Sequence, residues 1–440
     1  MESELSSGLL AAILIAALLV LLIIGTPVGI ALILLACIGM YAFGGWSFVW
    51  VTMQTLPYAQ LSSYTFVVIP MFLLMGTVAA RIGIVNALYV AVFRIFSRVK
   101  GSVFLATVVT STGFAALSGS TVVNSAVFTR ISLPEIIRLG FDKRLGAGCI
   151  AAAGTLAAMI PPSIVMVLYG TITKSSIGAL LIAGIIPGII TAVSFCIGIY
   201  VISVLRPELS PPLDVRFSLR EKLEPLKSIW PLAILVFIMI YGIYAGIMPP
   251  SAAGGVGAFA TIALGFLYRK LTLPMLWSAV AETARMTAVL LIIILGGLLF
   301  SRMLVVTGIM GDVIGFVGGL DISPTVFILL IILFYLVLGM FIDAISMIVM
   351  TLPFVFPLVI NLGYDPIWFG ILVVKLCELG TITPPVGINL FAVVAASQGR
   401  IKPQDAMAGV WPFVIIDLII IAGLVAFPQI VTGIIPDHLG

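Results

Sequence analysis

The sequence predicts an all-α polytopic membrane protein built as an inverted-topology repeat, with about ten spanning helices, two re-entrant hairpins and two helices broken at Pro-Pro pairs. Three observations predict it: a composition too apolar for water, a motif that recurs at a fixed offset, and basic residues that flank one half and not the other. Hydrophobic residues make up 62% of the 440 and charged residues only 9%, whereas soluble domains carry about 25% charged residues. The mean hydropathy is +1.32. Pro161-Pro162 recurs as Pro384-Pro385, an offset of 223 residues that also takes Pro134 to Pro357, Gly140 to Gly363 and Asp142 to Asp365. After a slip to 225, Ala183-Gly184 and Pro187 meet Ala408-Gly409 and Pro412. Two halves were built from one plan.

Charge sets their orientation. Fourteen of the 21 Lys and Arg precede residue 228, and Arg94, Arg98, Lys100, Arg130, Arg138, Lys143 and Arg144 surround the middle of the first half. The matching places in the second half hold Asp312, Asp321 and Asp365, with no Lys or Arg between Met303 and Val374. Basic loops face the cytoplasm, so matched sequence with reversed charge describes copies of opposite topology. The net charge of +4 serves topology and gives no argument for nucleic acid.

The elements follow in chain order. Glu2 and Glu4 stand where a signal peptide needs basic residues, so the first apolar stretch is expected to remain. Residues 1–82 form a scaffold from the apolar stretches Leu9 to Ile24, Val28 to Phe43 and Phe66 to Ala80. Residues 83–100 mix apolar side chains with Arg94 and Arg98, as an interfacial arm does. Residues 101–205 form a core that starts with a hairpin over Gly101 to Thr129, apex Ser118-Gly119-Ser120-Thr121, and ends at Ile185 to Leu205. Cytoplasmic signals at both ends of that hairpin predict re-entry rather than full crossing. Residues 206–228, with five Lys and Arg, are a cytoplasmic linker. The second half repeats the order: scaffold 229–302, arm 303–322, core 323–428 with a hairpin over Ser323 to Thr351 and apex Asp343-Ala344-Ile345-Ser346, then a tail at 429–440. Both termini are predicted periplasmic.

Proline lacks an N–H and clashes with the preceding turn, so Met159-Ile160-Pro161-Pro162-Ser163 and Ile382-Thr383-Pro384-Pro385-Val386-Gly387 should each interrupt a spanning helix. Carbonyls freed at a break need partners inside a membrane, and a dehydrated cation beside Ser and Thr hydroxyls is one. Half-helix N-termini beside the break attract an anion. Sodium with an organic anion is the ligand set this geometry favours; the alternative is a packing kink.

Several single residues have two readings. Asp343 at an apex is a candidate for sodium, proton or substrate-linked work, or else a helix cap. Lys375 and Glu378, at i and i+3, form a structural pair, with a coupling role for Glu378 as the alternative. Asn124 and Ser346 complete ion sites or hydrogen-bond across their hairpins. Arg81 and Arg302 read as interfacial anchors. The chain is expected to be no enzyme: its one histidine, His438, is in the tail, and Cys37, Cys149, Cys196 and Cys377 lack the spacing of a transition-metal site. Gly170 to Ser175 lacks the glycine that a phosphate loop places before lysine, so no ATP hydrolysis is expected.

The runs Gly154-Thr155-Leu156-Ala157-Ala158-Met159-Ile160-Pro161-Pro162-Ser163, Ala183-Gly184-Ile185-Ile186-Pro187-Gly188 and Glu378-Leu379-Gly380-Thr381-Ile382-Thr383-Pro384-Pro385-Val386-Gly387 resemble the large membrane subunit of tripartite ATP-independent periplasmic (TRAP) transporters, the DctM-like family. Hydropathy and the repeat extend the likeness over nearly the whole chain. The resemblance implies a sodium-driven importer of a small organic acid in the bacterial inner membrane, working by an elevator movement. It implies two partners, a small four-helix membrane subunit (DctQ-like) and a periplasmic substrate-binding protein (DctP-like), with Na+ as coupling ion and no other cofactor. It implies sodium sites near each hairpin apex and its Pro-Pro pair, and with the single-residue readings above the sodium and substrate candidates form two clusters. The first is Ser118, Gly119, Ser120, Thr121 and Asn124 with Met159, Ile160, Pro161, Pro162 and Ser163. The second is Asp343 and Ser346 with Glu378, Thr381, Thr383, Pro384 and Pro385. This chain departs from the commonest first-hairpin pattern in having Thr121-Val122-Val123-Asn124 after Ser120. The rival functions are the permease subunit of an ATP-driven importer, and a channel or non-transporting assembly subunit.

Overall fold

The computed structural model describes residues 13, 14, 16–18, 20–22, 24–213, 217–225, 230–319 and 323–436, and every regular element among them is helical. The first apolar stretch, both termini, Asp321 and part of the linker fall wholly or partly outside the described residues. In the first half, α1 (Val28–Leu61) leads through a 3-10 turn at Tyr64–Val67 into α2 (Val68–Arg81), α3 (Ile84–Phe96), α4 (Ser102–Ser118), α5 (Thr121–Arg138), α6 (Lys143–Met159), α7 (Ile164–Thr173), α8 (Ile177–Ala183) and α9 (Ile185–Leu205). The linker holds α10 (Leu219–Leu223). The second half has α11 (Trp230–Tyr244), α12 (Pro250–Leu267), α13 (Leu273–Val306), α14 (Ile309–Gly318), α15 (Pro324–Gly339), α16 (Ala344–Asn361), α17 (Pro366–Ile382), α18 (Ile388–Ala396), α19 (Pro403–Gly409), α20 (Trp411–Ala426) and α21 (Gln429–Thr432).

The duplication read from the prolines is also a duplication of structure. At the offset of 223, α5 falls on α16 and α6 on α17 with identical bounds. The residues between them explain why. Gly140 and Gly363 both take left-handed φ, +76° and +84°, which glycine adopts without a Cβ penalty. Two positions later Asp142 and Asp365 cap the next helix, Asp142 Oδ1 accepting from the Leu145 N–H at 2.7 Å and Asp365 Oδ1 from the Trp368 N–H at 2.7 Å. Both Pro-Pro pairs break their helices, each with a cis bond between the prolines. The axis bends by 42° between α6 and α7.

Glycine allows close packing at several crossings. α1 lies along α13, where a Cβ on Gly296 would stand 2.5 Å from the Gly29 carbonyl oxygen. Gly254 and Gly257 let α12 approach Phe72 and Met75 of α2 in the same way. Gly148 of α6 packs on the backbone of Gly409, and Gly409 on that of Arg144. Asp405 of α19 reinforces that crossing between the halves, pairing with Arg144 at 3.0 Å and Lys143 at 3.4 Å. The linker docks on the first arm, where Arg94 of α3 donates to the Glu221 carbonyl at 2.8 Å.

Several expectations are adjusted. Six helices are long and apolar enough to cross a membrane, or eight if each bent pair is one span, against the ten expected. Of the ten, the first stretch is only partly described and α11 and α17 have 15 and 17 residues, while the hairpin arm Ala344–Asn361, not expected to cross, is among the six. The second hairpin arms continue past the predicted Thr129 and Thr351 to Arg138 and Asn361, through Pro134 and through Pro353 and Pro357. α13 is continuous to Val306, so helix persists past residue 302, and the following arm begins only at Ile309. The turn of the second hairpin lies at Met340 to Asp343, so Ala344 to Ser346 form the first turn of α16 rather than the apex.

Candidate functional site

Both hairpin tips reach the helix breaks. Gly119, left-handed at φ +57°, ends α4, and its carbonyl accepts from the Ile164 N–H just past Pro161-Pro162 at 3.4 Å. At the second tip the Gly387 N–H, just past Pro384-Pro385, donates to the Met340 carbonyl at 3.1 Å. Hairpin arm and broken helix also touch backbone to backbone at Gly339 and Gly380, where a Cβ on Gly339 would stand 2.7 Å from the Gly380 Cα.

Between the tips lies a cavity of about 430 Å³. Its wall includes first-turn residues of four helices: Thr121 of α5, Ile164 of α7, Ala344 of α16 and Ile388 of α18. Each of these helices starts at a hairpin tip or just after a proline break, so four ends with partial positive charge converge on one space. The opposite wall is α13, which contributes Arg285 and the apolar Met286, Val289, Leu290 and Ile293. A concave space with apolar walls and few polar groups suits a small organic solute, and four helix N-termini suit an anionic one.

The predicted residues divide by position. Gly119, Ser120, Thr121, Asp343 and Thr381 line the cavity. Asp343 Oδ1 accepts from the Ile345 and Ser346 N–H groups at 3.1 and 3.0 Å, so the capping reading applies while the residue still faces the cavity. Ser118, Asn124, Met159, Ile160, Pro161, Pro162 and Ser163 are buried behind the first tip. Asn124 Nδ2 donates across the hairpin to the Ser111 and Gly154 carbonyls at 3.5 and 3.4 Å, and Ser163 caps α7 through the Met166 N–H at 3.2 Å. Thr383 donates to the Leu379 carbonyl at 2.6 Å. Pro384 is half-buried and Pro385 exposed.

Buried oxygens without a hydrogen-bond partner collect near both tips: Ser118 Oγ, Asn124 Oδ1 and Ser125 Oγ at the first, Ser346 Oγ and Asn389 Oδ1 at the second. Unpaired buried oxygen is costly, and a hard cation with oxygen ligands is one way to satisfy it.

Glu378 stands apart from the cavity. Its Oε2 lies 3.4 Å from Lys375 Nζ, and Lys375 Nζ lies 2.9 Å from Asp417 Oδ1 on α20, with all three side chains fully buried. The Lys375–Glu378 pair expected from spacing is thus part of a triad that ties α17 to the last long helix. Asp417, Asn389 and Arg285 were not anticipated as candidates. Asp417 had a signal, being a lone carboxylate in the apolar run Trp411–Ala426. Arg285 had a weaker one, and Asn389 had only its place after a proline break.

A family model described as "Tripartite ATP-independent periplasmic transporter, DctM component" matches residues 15–430. The chain is 34% identical over 380 residues to the C4-dicarboxylate TRAP transporter large permease protein DctM of Pseudomonas aeruginosa, covering 86% of this chain and 87% of that one. It is 29% identical over 383 residues to the isethionate TRAP transporter permease protein DctMQ of Oleidesulfovibrio alaskensis, covering 87% of this chain and 60% of that one. Among solved structures, the YdaH transporter of Alcanivorax borkumensis superposes with a TM-score of 0.60 at 12% identity, over 92% of this chain and 98% of that one. At that identity the likeness is one of fold alone.

Proposed function

Because this chain belongs to the DctM component family of tripartite ATP-independent periplasmic transporters, and is therefore a multi-pass membrane transport subunit, we propose that it imports a small organic acid across the bacterial inner membrane in symport with sodium. The observation that carries the proposal is the convergence of four helix N-termini from both repeats on one cavity between the hairpin tips. That arrangement favours a carboxylate or sulfonate. The relatives named for C4-dicarboxylates and isethionate are consistent with such a solute. A periplasmic binding protein delivers it, and a small membrane subunit completes the assembly, as the tripartite family name and the DctMQ relative support.

Sodium enters through the oxygens left unpaired at each tip. One ion rests near Ser118, Asn124 and the first break, and another near Ser346, Asn389, Thr381 and the second break. With both ions in place the tips are ordered, the acid binds between them, and the core moves across α1, α2, α11, α12 and α13. The two hairpins enter from opposite sides without crossing.

Two measurements test this. Permease reconstituted with its two partners should take up at least one acid from a panel of succinate, sialic acid and isethionate, and only with an inward sodium gradient; equal uptake without the gradient excludes symport. Dependence on a separate nucleotidase would favour an ATP-driven importer, and non-saturating flux a channel. Removing one charge-assisted ligand costs about 1.5–3 kcal/mol, so Ser346→Ala and Asn389→Ala should each raise the half-saturating sodium concentration about tenfold or more. Unchanged sodium dependence in both variants would remove the second site from the proposal.

A further inference from the structure

Arg285 is a cation placed where the repeat offers no equivalent. It lines the cavity on the α13 wall, facing the space bounded by Ser120, Thr121, Asp343 and Thr381. Glu282, three residues before it, is already paired with Arg81 at 2.5 Å. Among the described residues no acidic side chain lies within ion-pair distance of Arg285. Asp343, the acidic residue in the cavity wall, uses Oδ1 to cap α16. Arg285 is thus an exposed cation on the cavity wall with no ion pair among the described residues.

Its position along the helix is also one-sided. α13 starts at Leu273, just after Arg269-Lys270, which the positive-inside rule assigns to the cytoplasm. Arg285 lies about 18 Å of rise from that start in a helix about 51 Å long, nearer the cytoplasmic end. The repeat offsets of 223 and 225 lead to Ser62 and Gln60, and no Lys or Arg precedes Arg81 anywhere in the first half. Four helix ends treat the two sides alike, whereas the full positive charge is present on one side only.

We propose that Arg285 is a carboxylate-binding residue for the transported acid on the cytoplasmic side of the cavity, and that it acts in the inward-open state and not in the outward-open one. This rests on the function proposed above. A planar guanidinium holds a carboxylate through two parallel hydrogen bonds. Because α13 belongs to the scaffold, that contact is available only while the core holds the acid beside it. Arg285 thereby lowers the concentration at which cytoplasmic acid re-enters the site and governs release.

The test uses vesicles containing the permease and its small subunit, with the binding protein outside. They are loaded with whichever panel acid the wild type takes up fastest, and exchange is followed with labelled acid. Arg285→Gln should raise the half-saturating internal concentration about tenfold or more, while the half-saturating concentration for acid delivered outside by the binding protein stays within about twofold. Arg285→Lys should recover part of the loss, since it keeps the charge without the fork. Equal weakening on both sides, or no internal change, overturns the inference. Should Arg285→Gln fail to assemble, the wild type decides: internal half-saturation must rise with ionic strength, and a flat response overturns the inference. If the wild type transports no acid of the panel, the reading of the function falls first and this inference falls with it.

Discussion

Replacing Lys375 by Met is expected to destabilise the purified permease by about 3–5 kcal/mol, the cost of leaving buried charge without its partner. Lys375 is fully buried between Asp417 on α20, 2.9 Å away, and Glu378 on its own helix, 3.4 Å away. The Phe195 ring of α9 lies 5.9 Å from its ammonium. Removing the ammonium leaves two fully buried carboxylates without the cation that pairs with both. The change in unfolding temperature in detergent, followed by loss of the monodisperse elution peak, measures the effect. Lys375→Met combined with Asp417→Asn should recover a large part of it, because one of the two stranded charges is gone. A single variant that unfolds within a degree or two of the wild type would show that the triad does not hold α17 to α20.

Gly119→Ala is expected to leave the assembled protein intact but reduce uptake at least tenfold. Two effects act at this position. The left-handed φ of +57° costs a residue with a Cβ about 1–2 kcal/mol, and the new methyl would stand 2.6 Å from the Pro162 carbonyl oxygen. The second effect pushes the first tip away from the proline break that it meets, where the proposed first sodium site lies. Gly363→Ala separates the two: its φ is +84°, and a Cβ there meets nothing within 4 Å, so it carries backbone strain alone, far from the cavity. Uptake by Gly363→Ala should remain near wild type. If both variants transport equally, contact between tip and break is not needed for transport.

Much of the architecture was legible because it depends on residues with few conformational options. The prolines at 161–162 and 384–385 interrupt their helices, Gly140 and Gly363 turn the chain, and Asp142 and Asp365 restart it. The breaks read the same in sequence and in structure, whereas the two glycines and two aspartates were legible only as matches between the halves. Helix ends without such residues were less legible. The second hairpin arms continue through Pro134, Pro353 and Pro357 because a proline removes only one hydrogen bond when neighbouring helices support the rest. The site was legible in part. The recurring prolines, the polar apex residues and the flanking charges pointed to the tips and breaks but not to the wall across from them, since which face of α13 meets the cavity depends on how that helix packs against α1 and α16. Arg285 therefore carried only a weak local mark of the role proposed for it. The Lys375–Glu378 pair was visible at helical spacing, whereas Asp417 joins it across a sequence separation that no local pattern spans.

The crossing of Arg144, Gly148, Asp405 and Gly409 has a consequence for how the protein is made. The Arg144–Asp405 contact joins residues 261 positions apart, and the glycine contacts admit no side chain between the two backbones. Synthesis proceeds from the N-terminus, so α6 enters the membrane long before its partner α19 has been translated. The start of α6 must wait for this partner until nearly the whole polypeptide has been made. Truncation before Pro403 should therefore leave the N-terminal end of α6 without its packing partner, and the product prone to capture by membrane quality-control proteases.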